Sequence, residues 1–204
     1  MIRKPQYKTA RKFGEAIFPK TQTQKFAVRM GRKSIKRGRR RSQKTEYGEQ
    51  LLAKQRVKLT YGVLEKQFAR YVSEARERDR LNPVANLFTR LETRLDNVVF
   101  RTGLAPSRAA ARQMVGHGHI VVNGHKVSTP SYNVEMGDTI ELHNSSKQKT
   151  QFQEISQRLK NNKAPVWLQV NNEKVLAMIA SIPTNHKEEP SLNFEAVLEL
   201  YSRA

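Results

Sequence analysis

The stretch Ile120-Val121-Val122-Asn123-Gly124-His125-Lys126-Val127 decides how this 204-residue chain is read. Two β-prone runs flank Asn-Gly, the pair that best tolerates the positive φ angles of a two-residue hairpin turn. In that register Val122 opposes His125 and Ile120 opposes Val127 on one face, while Val121 opposes Lys126 on the other. Working back along the chain, Ser107 follows Pro106 and is placed to cap a short helix from Arg108 to about Val115, with Arg108 and Arg112 one turn apart. Gly103 ends a preceding helical pattern whose apolar stripe is Leu91, Leu95 and Val98. On one continuous helix Arg90, Arg94 and Arg101 fall within about 40° of each other, a basic ridge beside that stripe. Working forward, Gly137-Asp138 turns the chain into a strand over Thr139–Leu142. A polar loop spans Asn144 to Thr150, helical spacing resumes at Phe152, Ile155 and Leu159, and Val166–Val170 reads as a strand. Trp167 is read as a core residue, and Phe194–Tyr201 as a closing helix.

Upstream, Val57, Tyr61, Leu64, Phe68, Tyr71 and Ala75 recur at three- and four-residue steps from Tyr47 onward, with Gly62 placed to bend the stripe or split it in two. Lys54 and Lys58, like Lys66 and Arg70, are like charges four apart. Each such pair costs an isolated helix roughly 0.2–0.5 kcal/mol, so an anionic neighbour is expected. Asn82-Pro83 breaks the pattern.

Charge is concentrated at the start. The chain carries 38 Lys and Arg against 18 Asp and Glu, a formal +20. Residues 1–50 supply +13 of it, and the stretch Lys20–Lys44 has eleven basic residues and no acid. Such a segment repels itself and should be poorly ordered alone. A solvated tail or a localisation signal is the plainer reading. A nucleic-acid arm is favoured, because a polyanion supplies the missing counter-charge and counterion release drives binding. Gly31, Gly38 and the lack of an apolar face argue against a membrane-surface helix. Apolar residues make up 37% of the chain, enough for one or two modest cores. The longest apolar run, Val175–Ala180, is far short of the roughly 20 residues of a membrane helix. The basic start is not followed by a signal peptide's apolar stretch. With no cysteine, disulfides, thiolate zinc sites and cysteine nucleophiles are excluded, and a reducing, cytosolic setting is expected.

Arg94-Leu95-Asp96-Asn97-Val98-Val99, Ser107-Arg108-Ala109-Ala110-Ala111-Arg112-Gln113, Val121-Val122-Asn123-Gly124 and Pro130-Ser131-Tyr132 together resemble the RNA-binding domain named after small-subunit ribosomal protein four. Tyr47–Leu51, Lys54–Val57, Tyr61–Glu65 with Gln67-Phe68, and Glu199–Ser202 are similar to the rest of that bacterial ribosomal family. The resemblance implies an α+β chain in three parts. These are a basic extended arm over 1–45, an all-helical domain over 46–90 with 175–204, and an inserted RNA-binding domain of a helix pair with a hairpin and small sheet over 91–174. It further implies a structural role in the small ribosomal subunit. There the family binds 16S ribosomal RNA early, at a multi-helix junction of the 5′ domain. It lies near the messenger RNA entrance beside small-subunit proteins three and five. No membrane, cofactor or metal is expected.

The RNA-facing residues that follow are Arg32, Lys33, Lys36, Arg37, Arg39, Arg40, Arg41 and Lys44 in the arm. Tyr47, Lys54, Gln55, Arg56, Lys58 and Arg70 come from the first helical domain. Arg90, Arg94, Arg101, Ser107, Arg108, Arg112, Gln113, His117, His119, Asn123 and Lys126 come from the second. Three departures stand out. Arm cysteines that bind zinc in many relatives are absent, Ala110 replaces the glutamate of a reciprocal capping box, and residues 1–35 fit the family pattern poorly. Arg94-Leu95-Asp96 is also the kind of triplet pseudouridine synthases use catalytically. Here it sits inside the binding module, and no stretch remains for a catalytic domain. His117, His119 and His125 lack a cysteine or carboxylate at metal-ligand spacing. The rivals to a ribosomal role are a free RNA chaperone or translational regulator, an RNA-modifying enzyme, and, more weakly, a DNA-compacting protein.

Overall fold

The computed structural model describes residues 6–13, 17–18, 21–36, 45–147, 149, 152, 155, 158–159, 162–171, 175–184 and 191–203, with the side chains of 33–36 excepted. The chain divides into two compact units, Met1–Ala69 with Glu189–Ala204, and Arg70–Glu188. The boundaries differ from those read in the sequence, because Leu176–Ile179 is a strand within the second unit's sheet. Among the described residues no helix is long and apolar enough to cross a membrane.

The first unit is helical: α1 (Gln6–Phe13), α2 (Gln24–Lys36), α3 (Glu46–Tyr61), the first turn of α4 (Glu65–Arg78), and the C-terminal helix, here α9 (Phe194–Ser202). Gly62 splits the long apolar pattern, since its left-handed φ of 65° closes α3 as a C-cap. Val57, Tyr61, Phe68, Phe194, Val197 and Leu200 are buried, whereas Leu64, read as part of the stripe, falls in the interhelical turn and is 60% exposed. Thr45 caps α3 by accepting from the Gly48 amide at 3.2 Å, and Asn193 caps α9 through the Ala196 amide at 2.9 Å. The expectation that Lys20–Lys44 is poorly ordered is corrected over Gln24–Lys36, which is helical. Phe26 supplies the apolar anchor that a purely electrostatic reading overlooked. It is 7% exposed, with its ring 6.0 Å from that of Tyr7 on α1.

The second unit holds the rest of α4, then α5 (Pro83–Glu92), α6 (Leu95–Arg101), α7 (Arg108–Gly116), and strands β1 (Ile120–Val122), β2 (His125–Lys126), β3 (Thr139–Leu142), β4 (Leu168–Asn171) and β5 (Leu176–Ile179), with the one-turn α8 (Asn144–Lys147) after β3. The sheet is antiparallel throughout, in the order β2-β1-β3-β5-β4. The hairpin has the expected register, Val121 opposite Lys126 and Val122 opposite His125, with Asn123 and Gly124 at φ 49° and 80°. One sheet face is dry. Ile120, Val122, Ile140, Leu142 and Ile179 pack with Leu95, Val98 and Val99 of α6, Met114 and Val115 of α7, and Trp167. The strand expected over Val166–Val170 begins two residues later, because Val166 and Trp167 form a turn and Val166 is fully exposed.

The pattern read as one helix through Leu91, Leu95 and Val98 is two. Arg94 is extended (φ −65°, ψ 133°) and separates α5 from α6. Here the loop Pro130–Val134 replaces helix continuation. The carbonyls of Tyr132 and Pro130 accept from the Leu95 and Asp96 amides at 2.8 and 3.1 Å, and the Val134 amide donates to Thr93 at 2.9 Å. Two of the orphan amides of α6 are thereby satisfied without a side-chain cap.

Candidate nucleic-acid interface

Because the helix breaks at Arg94, the expected ridge of Arg90, Arg94 and Arg101 does not form. Arg94 is buried and folds back onto Asp96, donating through Nε and Nη2 at 3.0 and 2.8 Å, with Nη1 donating to the Tyr71 hydroxyl at 2.6 Å. Arg112 of α7 reaches the same carboxylate, at 2.8 Å from Nε and 2.5 Å from Nη2. Burial opposes the charge on Arg94. The hydrogen bonds and charge of Asp96, with Tyr71, outweigh it and hold the guanidinium above its ordinary pKa. Arg101 forms a fork with Glu92 at 2.9 and 2.8 Å. Asn97 donates to Glu92 at 3.0 Å and accepts from Arg108 at 2.7 Å, while the Arg108 guanidinium lies 4.6 Å from the Phe100 ring centre. Arg90 stacks 4.8 Å from the Tyr71 ring and donates to Glu74 and Asn133. Arginines that the sequence pointed outward therefore lace α4, α5, α6 and α7 together.

The same correction applies in the first unit. Lys54 and Lys58 both meet Glu65 at 2.5 Å, so the anionic neighbour their spacing demands is intramolecular. Burial alone would raise the Glu65 pKa; hydrogen bonds and charge from the two lysines outweigh that and lower it to about 2. Arg56 donates to the Ser191 and Phe13 carbonyls at 3.0 and 3.3 Å, beside half-buried Gln55. At the start of the second unit Arg70, exposed, pairs with Glu74 at 2.6 Å. Tyr47 is 60% exposed on the first turn of α3. On α2, Lys25, Arg29 and Arg32 are exposed. Lys33 and Lys36 belong to the same helix, and Arg37, Arg39, Arg40, Arg41 and Lys44 lie outside the described residues.

Ser107 is used as the cap of α7, its hydroxyl accepting from the Ala110 amide at 3.2 Å. Asn123 ties the hairpin to β3. Its amide oxygen accepts from the Thr139 amide at 2.8 Å, and its Nδ2 donates to Asp138 at 2.7 Å. Neither needs RNA to explain its chemistry.

Further predicted contacts lie at the far end of α7. Gln113 and His117 are exposed there, with half-buried His119 beside them. The Lys126 chain crosses Gly118, whose φ of 70° lies in the left-handed region that favours glycine. From the β3–α8 corner, which the sequence reading passed over as a polar loop, come His143, Lys147 and Lys149. His143 donates its amide to the His119 carbonyl at 2.8 Å, and the His119 Nδ1 lies 2.9 Å from the buried Ser146 hydroxyl. Burial first, then Lys149, His117, Lys126 and His143, push the His119 pKa below its ordinary value. A histidine directly after a strand, at a corner with two lysines, was the available signal. Among the described residues no group of three or more His, Cys, Asp or Glu side chains could hold a metal ion.

Comparison with known proteins accounts for nearly the whole chain. The ribosomal protein S4/S9 N-terminal domain family matches residues 1–92, including the start that was expected to fit poorly, and the S4 domain family matches residues 93–140. A small ribosomal subunit protein uS4 of Halothermothrix orenii is 42% identical over 203 residues, covering 98% of this chain and 97% of its own length. Its counterpart in Variovorax paradoxus is 41% identical over 98% and 97%, and that of a Roseiflexus species 44% identical over 80% of each. The buried Arg94–Asp96 clamp, the helix pair beside the Asn-Gly hairpin, and the match along nearly the full length lead to one assignment: the chain belongs to the uS4 family of small ribosomal subunit proteins.

Proposed function

We propose that this protein is a non-catalytic constituent of the cytoplasmic small ribosomal subunit that binds 16S ribosomal RNA early. Its RNA target is a junction in the 5′ domain, with messenger RNA and small-subunit proteins three and five nearby. The observation that carries the reading is full-length similarity to uS4 relatives combined with two separate exposed cationic surfaces. One is the Lys25, Arg29 and Arg32 face of α2; the other is the corner formed by α7, Lys126 and His143–Lys149. Phosphates and 2′-hydroxyls of folded RNA are recognised by scattered cations through shape more than sequence. Catalysis by the Arg94-Leu95-Asp96 triplet is disfavoured by its setting, since Asp96 is 1% exposed and neutralised by two guanidinium groups.

The test is capture from total cellular RNA by the purified chain, followed by sedimentation of cell extract. A uS4-type constituent selects 16S RNA and co-sediments stoichiometrically with small subunits. A chaperone or regulator stays free of them, and a modifying enzyme alters nucleosides in unmodified RNA. If 6–10 phosphates are neutralised, affinity falls roughly 10³–10⁵-fold between 50 and 200 mM salt.

A further inference from the structure

Three elements bring imidazoles and ammonium groups to one corner of the second unit. His117 lies at the end of α7 and His119 just before β1, their ring centres 6.1 Å apart. Lys126 of β2 lies across Gly118 between them. His143 follows β3, tied to His119 by the 2.8 Å backbone bond, and Lys149 comes after α8. The His119 ring is fixed from two sides, by Ser146 Oγ at 2.9 Å and by the edge of Phe152, ring centres 5.1 Å apart. The nearby carboxylate is Glu141, opposite Val121 on the row that also holds Lys126; Lys147 is exposed on α8. A rigid ring ringed by cations is a poor place for a proton and a good place for an anion.

We infer that this corner is a seat for one RNA phosphate, held by Lys126 and Lys149 and by the imidazoles of His117, His119 and His143. The inference rests on the RNA-binding reading and adds the residues and their chemistry. A phosphodiester here offsets the burial and the neighbouring cations that lower the His119 pKa. RNA binding therefore favours a proton on His119, and affinity rises as the pH falls from 8 to 6, by up to tenfold per pH unit for the proton taken up.

The experiment measures affinity of the full chain for a 16S 5′-domain transcript at pH 8.0, 7.0 and 6.0, at constant ionic strength. The variants are H117N/H119N/H143N and, leaving the ring packing untouched, K126Q/K149Q. Folding is checked by the fluorescence of the single tryptophan, Trp167. The parent chain is expected to bind at least tenfold tighter at pH 6.0 than at 8.0. The histidine variant should lose that gain, and the lysine variant should bind about tenfold more weakly at every pH. Inorganic phosphate, added as competitor, should raise the parent's dissociation constant and leave that of the lysine variant unchanged. The inference is overturned if the histidine variant keeps the parent's pH gain, or if the lysine variant binds as the parent does while both chains hold RNA. Absence of RNA binding by the parent at any pH would instead overturn the RNA-binding reading, and this inference with it.

Discussion

Asp96→Asn removes one charge from a site where two guanidinium groups share the two oxygens of one carboxylate. The Asp96 and Arg94 side chains are 2% and 3% exposed, and Arg112 is 29% exposed. Asparagine keeps the shape but can accept with only one oxygen, and its amide group meets a guanidinium N–H head-on. Three of the four charge-assisted bonds go to Oδ2 and one to Oδ1, so a single amide oxygen keeps three or one of them, now without the charge. Arg94 is left buried with only the Tyr71 hydroxyl, 2.6 Å away, and a neutral amide. Breaking a buried pair from one side costs about 3–5 kcal/mol, most of it the desolvation of the charge left behind. For a chain of this size each kcal/mol moves the melting midpoint by roughly 2–4 °C, so a fall of roughly 6–20 °C is expected. Arg112→Met removes the more solvated partner and should cost about 1.5–3 kcal/mol. Urea unfolding followed through Trp167, 3% exposed in the same unit, reads both. If Asp96→Asn lies within about 1 kcal/mol of the parent chain, the clamp is not what holds α6 to α7, and the argument from buried charge fails.

Glu65 gives a pH-dependent counterpart in the first unit. Its pKa is lowered from 4.5 to about 2, so its contribution is complete above about pH 4.5 and is lost as the pH falls through about 2. Because the side chain is half exposed, Glu65→Gln should cost only about 0.5–1 kcal/mol at pH 6. The gap between variant and parent should close by pH 2, as followed by helical circular dichroism in urea. Asn123→Gly keeps the positive φ and loses the bonds to Thr139 and Asp138, at about 1 kcal/mol; Asn123→Ala adds the left-handed penalty, roughly 1 kcal/mol more. Equal losses in a melting assay would show that the turn angle is immaterial. On RNA, Arg32→Gln should reduce the slope of log affinity against log salt by about 0.9 for the one phosphate lost, whereas Arg101→Gln should lower stability and leave the slope unchanged. A slope change for Arg101→Gln would mean that its fork with Glu92 opens on RNA.

The hairpin was legible because its signals are local. Asn-Gly fixes the turn, two-residue alternation fixes the faces, and Val121 opposite Lys126 follows from counting. Ser107 as a cap and Gly103 as a stop are local too. The break at Arg94 was not legible, because its cause lies about 36 residues away: the carbonyls of Pro130 and Tyr132 that take the α6 amides. Once the helix is broken the angular argument for a basic ridge has no axis, and Arg94 turns inward. Lys54 and Lys58 were rightly read as needing an anion, but spacing could not say that Glu65, beyond the Gly62 turn, would supply it. His143 and Lys149 escaped because a strand end and a polar loop carry no periodicity. Only the fold brings them to His119.

These corrections share one physical cause. In a chain with a large surplus of cations its few carboxylates are scarce, and folding uses them first. Asp96 holds two arginines, Glu92 one, Glu65 two lysines and Glu74 two arginines. Where such a group is buried, as Asp96 and Glu92 are, it gives up water, a cost recovered only with a close partner. The cations beside carboxylates thus become the fastenings of the two units and have little charge left to offer a polyanion. The exposed cations of α2 and of the histidine corner stand outside these pairs among the described residues, and on our reading they keep their potential for the ligand. Net charge marks this protein as a binder of polyanions, and we propose that the place where it binds is set by the cations its acids leave over.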